Sequence, residues 1–301
     1  MKQLASGRIS ENIAVAGNYM YPCYVVGGGG RNLMIEAGLN LMGPLYVKSI
    51  EEILGDRGLL SYLFLTHSHY DHLGSVHYLK RLIPGLVVGA HERVAGLLRK
   101  ESVLAMMNRL SDVQRLLMRD IAGDEDLVIR QTDIGLTLKE GDVIDLGGLS
   151  CRVYEVPGHT RDSLAYSIPE IDALFTGEAA GVPQGMDDHT PQVGFLASYE
   201  DYLTSLEKLM SLSPRILCLG HAFVFTGEDA AKYLRASYAA TFEYRSLIER
   251  YLEEADGDVE KAIETMAVKE YDEKGTIRQE RNAYLTNLSA QVRLIAGMKG
   301  R

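Results

Sequence analysis

The sequence is short of cysteine, of basic runs and of long apolar stretches, and each shortage excludes something. Its three cysteines, Cys23, Cys151 and Cys218, stand apart in strand-like surroundings. They cannot form a disulfide framework and read as buried free thiols of a reducing compartment. Lys and Arg are scattered among acids and the formal net charge is −10, which argues against a nucleic-acid partner, since phosphate backbones are bound by clustered cations. No run approaches the ~18 apolar residues of a membrane span. The stretch Met1–Arg8 lacks the apolar core of a signal peptide. The expectation is a cytoplasmic protein that acts on a small molecule, with no membrane partner and with a homodimer left open. A Gly-x-Ser-x-Gly nucleophile turn and a cysteine nucleophile motif are also missing.

What is present is concentrated in Leu65-Thr-His-Ser-His-Tyr-Asp-His-Leu-Gly74. The apolar run Leu59–Leu65 before it predicts a buried strand, and Gly74 onward predicts a helix. In an extended segment side chains alternate, so His67, His69 and Asp71 share one side, and His72 can join them only through a sharp turn. Imidazoles and a carboxylate at the carboxyl end of a strand are ligands for zinc, iron or manganese.

The rest of the chain reads as α/β. Gly27–Gly30 lies between strand-like segments with no Lys-Ser/Thr after it, so a hairpin turn is the reading rather than a phosphate loop. Apolar spacing predicts a long helical pattern from His91 to about Ile121 and a β meander from Val128 to Tyr154. Ser198-Tyr-Glu-Asp201 has the form of a helix N-cap. Beyond His221 the chain reads as helical, over about 229–254, 259–271 and 278–296. Glu36, in Glu36-Ala-Gly38, reads either as a brace for the neighbouring loop or as an ordinary strand-end acid.

Thr66-His67-Ser-His69-Tyr-Asp71-His72 resembles the His-x-His-x-Asp-His signature of the metallo-β-lactamase superfamily. Pro157-Gly-His159, Phe175-Thr-Gly-Glu178 and Leu217-Cys-Leu-Gly-His221 resemble its later motifs, in the family's order. The resemblance covers roughly residues 12 to 225. It implies a four-layer αββα sandwich over 1–225 with a helical insertion at about 92–121, followed by a helical C-terminal cap over 226–301.

It also implies two divalent metal ions. His67, His69 and His159 would hold one. Asp71, His72 and His221 would hold the other, with Glu178 between them where the family commonly has aspartate. Such a pair, about 3.5–4 Å apart, supplies a metal-bound hydroxide near neutral pH. Asp71 and Tyr70 are the candidate catalytic groups within the motif, Tyr70 as a donor to an oxyanion, although packing against the loop is the reading favoured for Tyr70. His189, in Met186–Thr190, falls where the family borders its substrate cleft. The helical C-terminus resembles the glyoxalase II and quinolone-signal thioesterase branch, which implies hydrolysis of a thioester or a related acyl ester or lactone. A phosphodiesterase of the same fold, or a regulatory binding protein with a structural metal site, are the alternatives.

Overall fold

The computed structural model describes residues 1–185 and 190–299. The chain forms two compact units. The first comprises Met1–Glu155, Asp162–Gly177 and Arg215–Thr226, and the second Val156–Arg161, Glu178–Pro214 and Gly227–Arg301.

The first unit contains both large sheets. One has six strands in chain order, Ile13–Ala16, Cys23–Val26, Asn32–Ile35, Leu60–Phe64, Val87–Ala90 and Leu136–Thr137. The first three pair antiparallel and the later ones parallel. The other has seven, in the order Lys2–Leu4, Phe223–Thr226, Ile216–Cys218, Ala173–Phe175, Leu164–Ile168, Ser150–Glu155, Val143–Asp145.

Their shared core follows the period of two expected of strands. Tyr24, Val26, Leu33, Ile35 and Phe64 of the first sheet pack with Cys151, Val153, Tyr166, Phe175 and Val224 of the second. The alternate residues Cys23, Val25, Met34, Leu63 and Val88 instead join a helix-covered core with Tyr46, Ile50, Leu79, Val94 and Met107. Buried on both faces, strands such as Ile13-Ala-Val-Ala16 are apolar at every position. The three cysteines are buried and unpaired by disulfides, and burial pushes each thiol up from its ordinary range.

The glycine run is a turn. It links Cys23–Val26 to Asn32–Ile35, and a Cβ at Gly29 would stand 2.2 Å from the Leu146 carbonyl oxygen. Two expectations are corrected in detail. The 91–121 pattern is broken into Glu92–Leu97, Glu101–Asp112 and Arg119–Ala122; the extended conformation of Lys100 (φ −94°, ψ 111°) separates the first of these from the second. The expected meander is divided between sheets. Leu136–Thr137 lies parallel to Val87–Ala90, held by Gly135 N to Val88 O (2.8 Å) and Leu138 N to Ala90 O (2.9 Å). Only Val143–Asp145 and Ser150–Glu155 form the antiparallel hairpin.

The second unit is mainly helical: Tyr199–Ser211, Glu228–Glu254, Val259–Met266 leading into a π-helical turn at Ala267–Glu273, and Arg281–Lys299. Ser198 caps the first of these through its Oγ, which accepts from Asp201 N. The mixed α/β class and the helical C-terminal region agree with the sequence. No helix among the described residues is long and apolar enough to cross a membrane.

Candidate metal centre

The motif loop leaves the first sheet where Leu65 N still bonds Gly89 O (3.0 Å). A single helical turn, Tyr70–Leu73, then reverses the chain, closed by His72 N and Leu73 N on His69 O (both 3.1 Å). That turn brings His72 back to its neighbours. Within the first unit, the His67 ring centroid lies 4.6 Å from that of His69 and 4.1 Å from that of His72. His221, just past the strand Ile216–Cys218, places its Nε2 3.2 Å from His72 Nε2 and 3.6 Å from Asp71 Oδ2. Asp71 Oδ2 is 3.9 Å from His72 Nε2.

The partners on the far side of each ring assign the protons. His221 Nδ1 lies 2.6 Å from Met20 O. A carbonyl oxygen only accepts, so Nδ1 carries hydrogen and Nε2 of the neutral ring presents a lone pair. His72 Nδ1 faces Glu36 Oε1 at 3.0 Å, with the same consequence. Thr66 Oγ1 donates its one proton to Glu36 Oε1 (2.6 Å), so its 2.9 Å contact with His67 Nδ1 requires that His67 donate. Three buried or half-buried imidazoles thus turn Nε2 lone pairs inward. Two acceptors 3.2 Å apart repel each other unless a cation or a proton stands near both. The donor set, neutral imidazole Nε2 with carboxylate oxygen, fits a divalent transition metal.

Glu36 is the brace. It holds φ at +77°, a left-handed conformation that costs a side-chain-bearing residue on the order of 1 kcal/mol, and aims its buried carboxylate at Thr66 and His72. Its Oε2 has no hydrogen-bond partner among the described residues, and a buried carboxylate in that condition is tolerated best beside positive charge.

The second unit carries the other two ligand candidates. Gly158 has φ +130°, and a Cβ there would lie 2.4 Å from Tyr202 N and Cα, so only glycine lets His159 take its place. His159 Nδ1 donates to Gly194 O (2.7 Å), which again leaves Nε2 as the lone-pair atom, 3.7 Å from Glu178 Oε2. Glu178 opens a tight turn closed by Gly181 N on its own carbonyl (3.0 Å).

The sequence profile of the metallo-beta-lactamase superfamily matches residues 16–221. The chain belongs to that superfamily. Among superfamily relatives, a hydroxyacylglutathione hydrolase of Cereibacter sphaeroides is 29% identical over 203 residues, which are 67% of this chain and 59% of that enzyme. This chain therefore spans less than two thirds of that relative. An acyl-coenzyme A thioesterase of Gallus gallus is 29% identical over 229 residues, 71% of this chain and 76% of the relative. A metallo-beta-lactamase family protein of Thermus thermophilus has the same fold. It aligns with a TM-score of 0.65 at 18% identity, covering 99% of this chain and 94% of that one.

Tyr70 opens the helical turn and its hydroxyl accepts from Gln114 Nε2 (3.4 Å). Gln114 Oε1 in turn accepts from Tyr21 OH (2.6 Å), and the Tyr21 ring meets His221 edge-on at 5.8 Å. Burial, with the Asp71 charge adding to it, pushes the Tyr21 phenol up, so it stays a donor. His189 lies outside the described residues. Sequence reasoning missed Met20, Thr66, Gln114 and Gly194 as supports. Two of these act through backbone carbonyls, which no side-chain pattern announces.

Proposed function

We propose that the protein is a metal-dependent hydrolase acting on a thioester or a related acyl ester or lactone. In this reading His67, His69 and His159 form one ligand set. Asp71, His72 and His221 form the second, and Glu178 joins the two. The observation that carries it is the pair of Nε2 atoms of His72 and His221, 3.2 Å apart, with both Nδ1 positions committed elsewhere. A pair of bound divalent ions would supply a hydroxide nucleophile at neutral pH and polarise the acyl carbonyl.

The chain's own residues do the rest. Glu36 and Thr66 fix the tautomers of His72 and His67. Met20 O and Gly194 O do the same for His221 and His159. Asp71 brings negative charge to the second set, and Gln114 orients the Tyr70 phenol for donation to a developing oxyanion. The two named relatives that act on hydroxyacylglutathione and acyl-coenzyme A support the thioester class.

The test is hydrolysis of acylglutathione and acyl-coenzyme A thioesters before and after chelation, with elemental analysis of the purified protein. Up to two equivalents of zinc, iron or manganese per chain are expected. His67→Ala should lose metal and turnover together. Full turnover by a metal-free sample would refute the reading, and bound metal without turnover on any acyl substrate would leave a binding protein.

A further inference from the structure

The loop Gly17–Tyr21 joins the strands Ile13–Ala16 and Cys23–Val26, and two of its peptide units are held at both ends. In the unit between Tyr19 and Met20, Tyr19 O accepts from Ala222 N (2.7 Å) while Met20 N donates to Asn18 Oδ1 (3.0 Å). In the unit between Met20 and Tyr21, Met20 O accepts from His221 Nδ1 (2.6 Å) while Tyr21 N donates to Asn18 Oδ1 (3.3 Å). One side-chain oxygen therefore takes the N–H of both units, and both carbonyls point to the segment that carries His221. A trans peptide is planar, with its N–H and C=O on opposite edges, and none of the described peptides is cis. Fixing the N–H fixes the carbonyl.

His221 needs a hold of this kind. Its side chain is 21% exposed, against 1% for His72, so packing does not set the ring as it does in the motif loop. The next residue, Ala222, has φ +63°, a left-handed conformation that residues with a Cβ seldom adopt, and its N–H is the one that reaches Tyr19. Tyr21 adds a contact from the same loop: its ring meets that of His221 edge-on, with centroids 5.8 Å apart. The far side of the loop is anchored by Tyr46 OH on Tyr21 O (2.9 Å) and by Gly17 N on Ser49 Oγ (3.2 Å). Neither anchor sets the direction of Met20 O, since the peptide units between them can still rotate about their flanking Cα bonds. Asparagine suits the position, because its short side chain brings an oxygen to the N–H groups two and three residues on.

We propose that Asn18 is the positioning residue for His221. Its Oδ1 aims the Met20 carbonyl at Nδ1, which keeps the proton there and leaves Nε2 as the lone-pair atom. Without that oxygen the Met20–Tyr21 unit is free to turn, the carbonyl leaves Nδ1, and the ring carries its proton on either nitrogen. That His221 then serves as a metal ligand rests on the hydrolase reading; the hold on its tautomer does not.

Nitrogen NMR of the chelated full chain reports the tautomer of His221 at about pH 8, where a histidine of ordinary pKa is neutral, with His221→Gln identifying its signals. The proton should sit on Nδ1 in the parent, spread over both nitrogens in Asn18→Ala, and return to Nδ1 in Asn18→Asp, which keeps an oxygen acceptor. Competition with a chromophoric chelator should show the second equivalent of zinc bound about 10-fold more weakly by Asn18→Ala, and the first within ~2-fold of the parent. An Nδ1 proton that stays in place in Asn18→Ala would overturn the proposal, and so would failure of Asn18→Asp to restore it. Equal loss at both metals with a lowered melting temperature would mean general loosening, and would overturn it too. A parent chain that binds no metal would refute the hydrolase reading, while the tautomer result would still decide on Asn18.

Discussion

His72 and His221 present the same atom to the same space, yet they are held by different means. His72 is braced by a carboxylate on a side chain, that of Glu36, whereas His221 is braced by a backbone carbonyl, that of Met20. His159 follows the second pattern with Gly194. Both devices fix the tautomer. Only the first adds negative charge behind the ring, which makes the opposite nitrogen the more basic. Only the first can be deleted by changing one side chain. A carbonyl brace is lost only when its loop moves.

That contrast can be broken at three places. The largest effect is expected at Glu178, whose carboxylate faces the Nε2 side of a histidine instead of the Nδ1 side. A neutral amide there cannot offset the charge of two cations. Glu178→Gln should keep one metal and lower turnover by at least ~100-fold, read by elemental analysis beside kinetics. Two retained metals with normal turnover would remove Glu178 from the ligand set and turn attention to Asp187 and Asp188, the next acids in the sequence.

Glu36 comes next. Glu36→Gln keeps an oxygen for Thr66 and His72 but removes the charge, so metal affinity, measured by competition with a chromophoric chelator, should fall about 10-fold. Glu36→Ala, which removes both, should fall nearer ~100-fold. Wild-type affinity in Glu36→Gln would mean that the carboxylate acts only as a carbonyl does, and the contrast would vanish.

The smallest effect is expected from disturbing a carbonyl brace. An alanine Cβ at Gly194 would lie 2.9 Å from His159 Nδ1 and 3.4 Å from its Cε1, so the ring must give by a few tenths of an ångström. Gly194→Ala should cost turnover about 3- to 10-fold, since sites of this kind tolerate displacements of only ~0.5 Å, while the melting temperature stays near that of the parent. An unchanged rate would show that the ring is positioned from elsewhere.

The same contrast explains what can be read from the sequence. The histidine loop is legible because its ligand-type residues crowd into six positions behind an apolar strand, and the helical C-terminus is legible from its spacing. Glu36 stands out as an acid at a strand end, but its role depends on a positive φ that the residue type does not favour. Met20 and Gly194 contribute only carbonyl oxygens, and any residue has one. Leu136–Thr137 reads as part of a meander because two residues carry too little pattern to tell one sheet from another, and Gly135 and Leu138 settle the matter through backbone bonds.

The supports of His221 also set an order of events. Its ring leans on Met20 O, Ala222 N bonds Tyr19 O (2.7 Å), Ala5 N bonds Ala222 O (2.8 Å), and the next strand, Phe223–Thr226, pairs with Lys2–Leu4. Every one of these contacts joins the opening residues of the chain to residues some two hundred positions later. During synthesis the opening strand must therefore wait, unpaired, until His221 and the strand after it have left the ribosome. Contacts of such separation form late and slowly. A nascent chain halted before residue 226 would carry the His67–His72 loop without the strand that anchors its final partner.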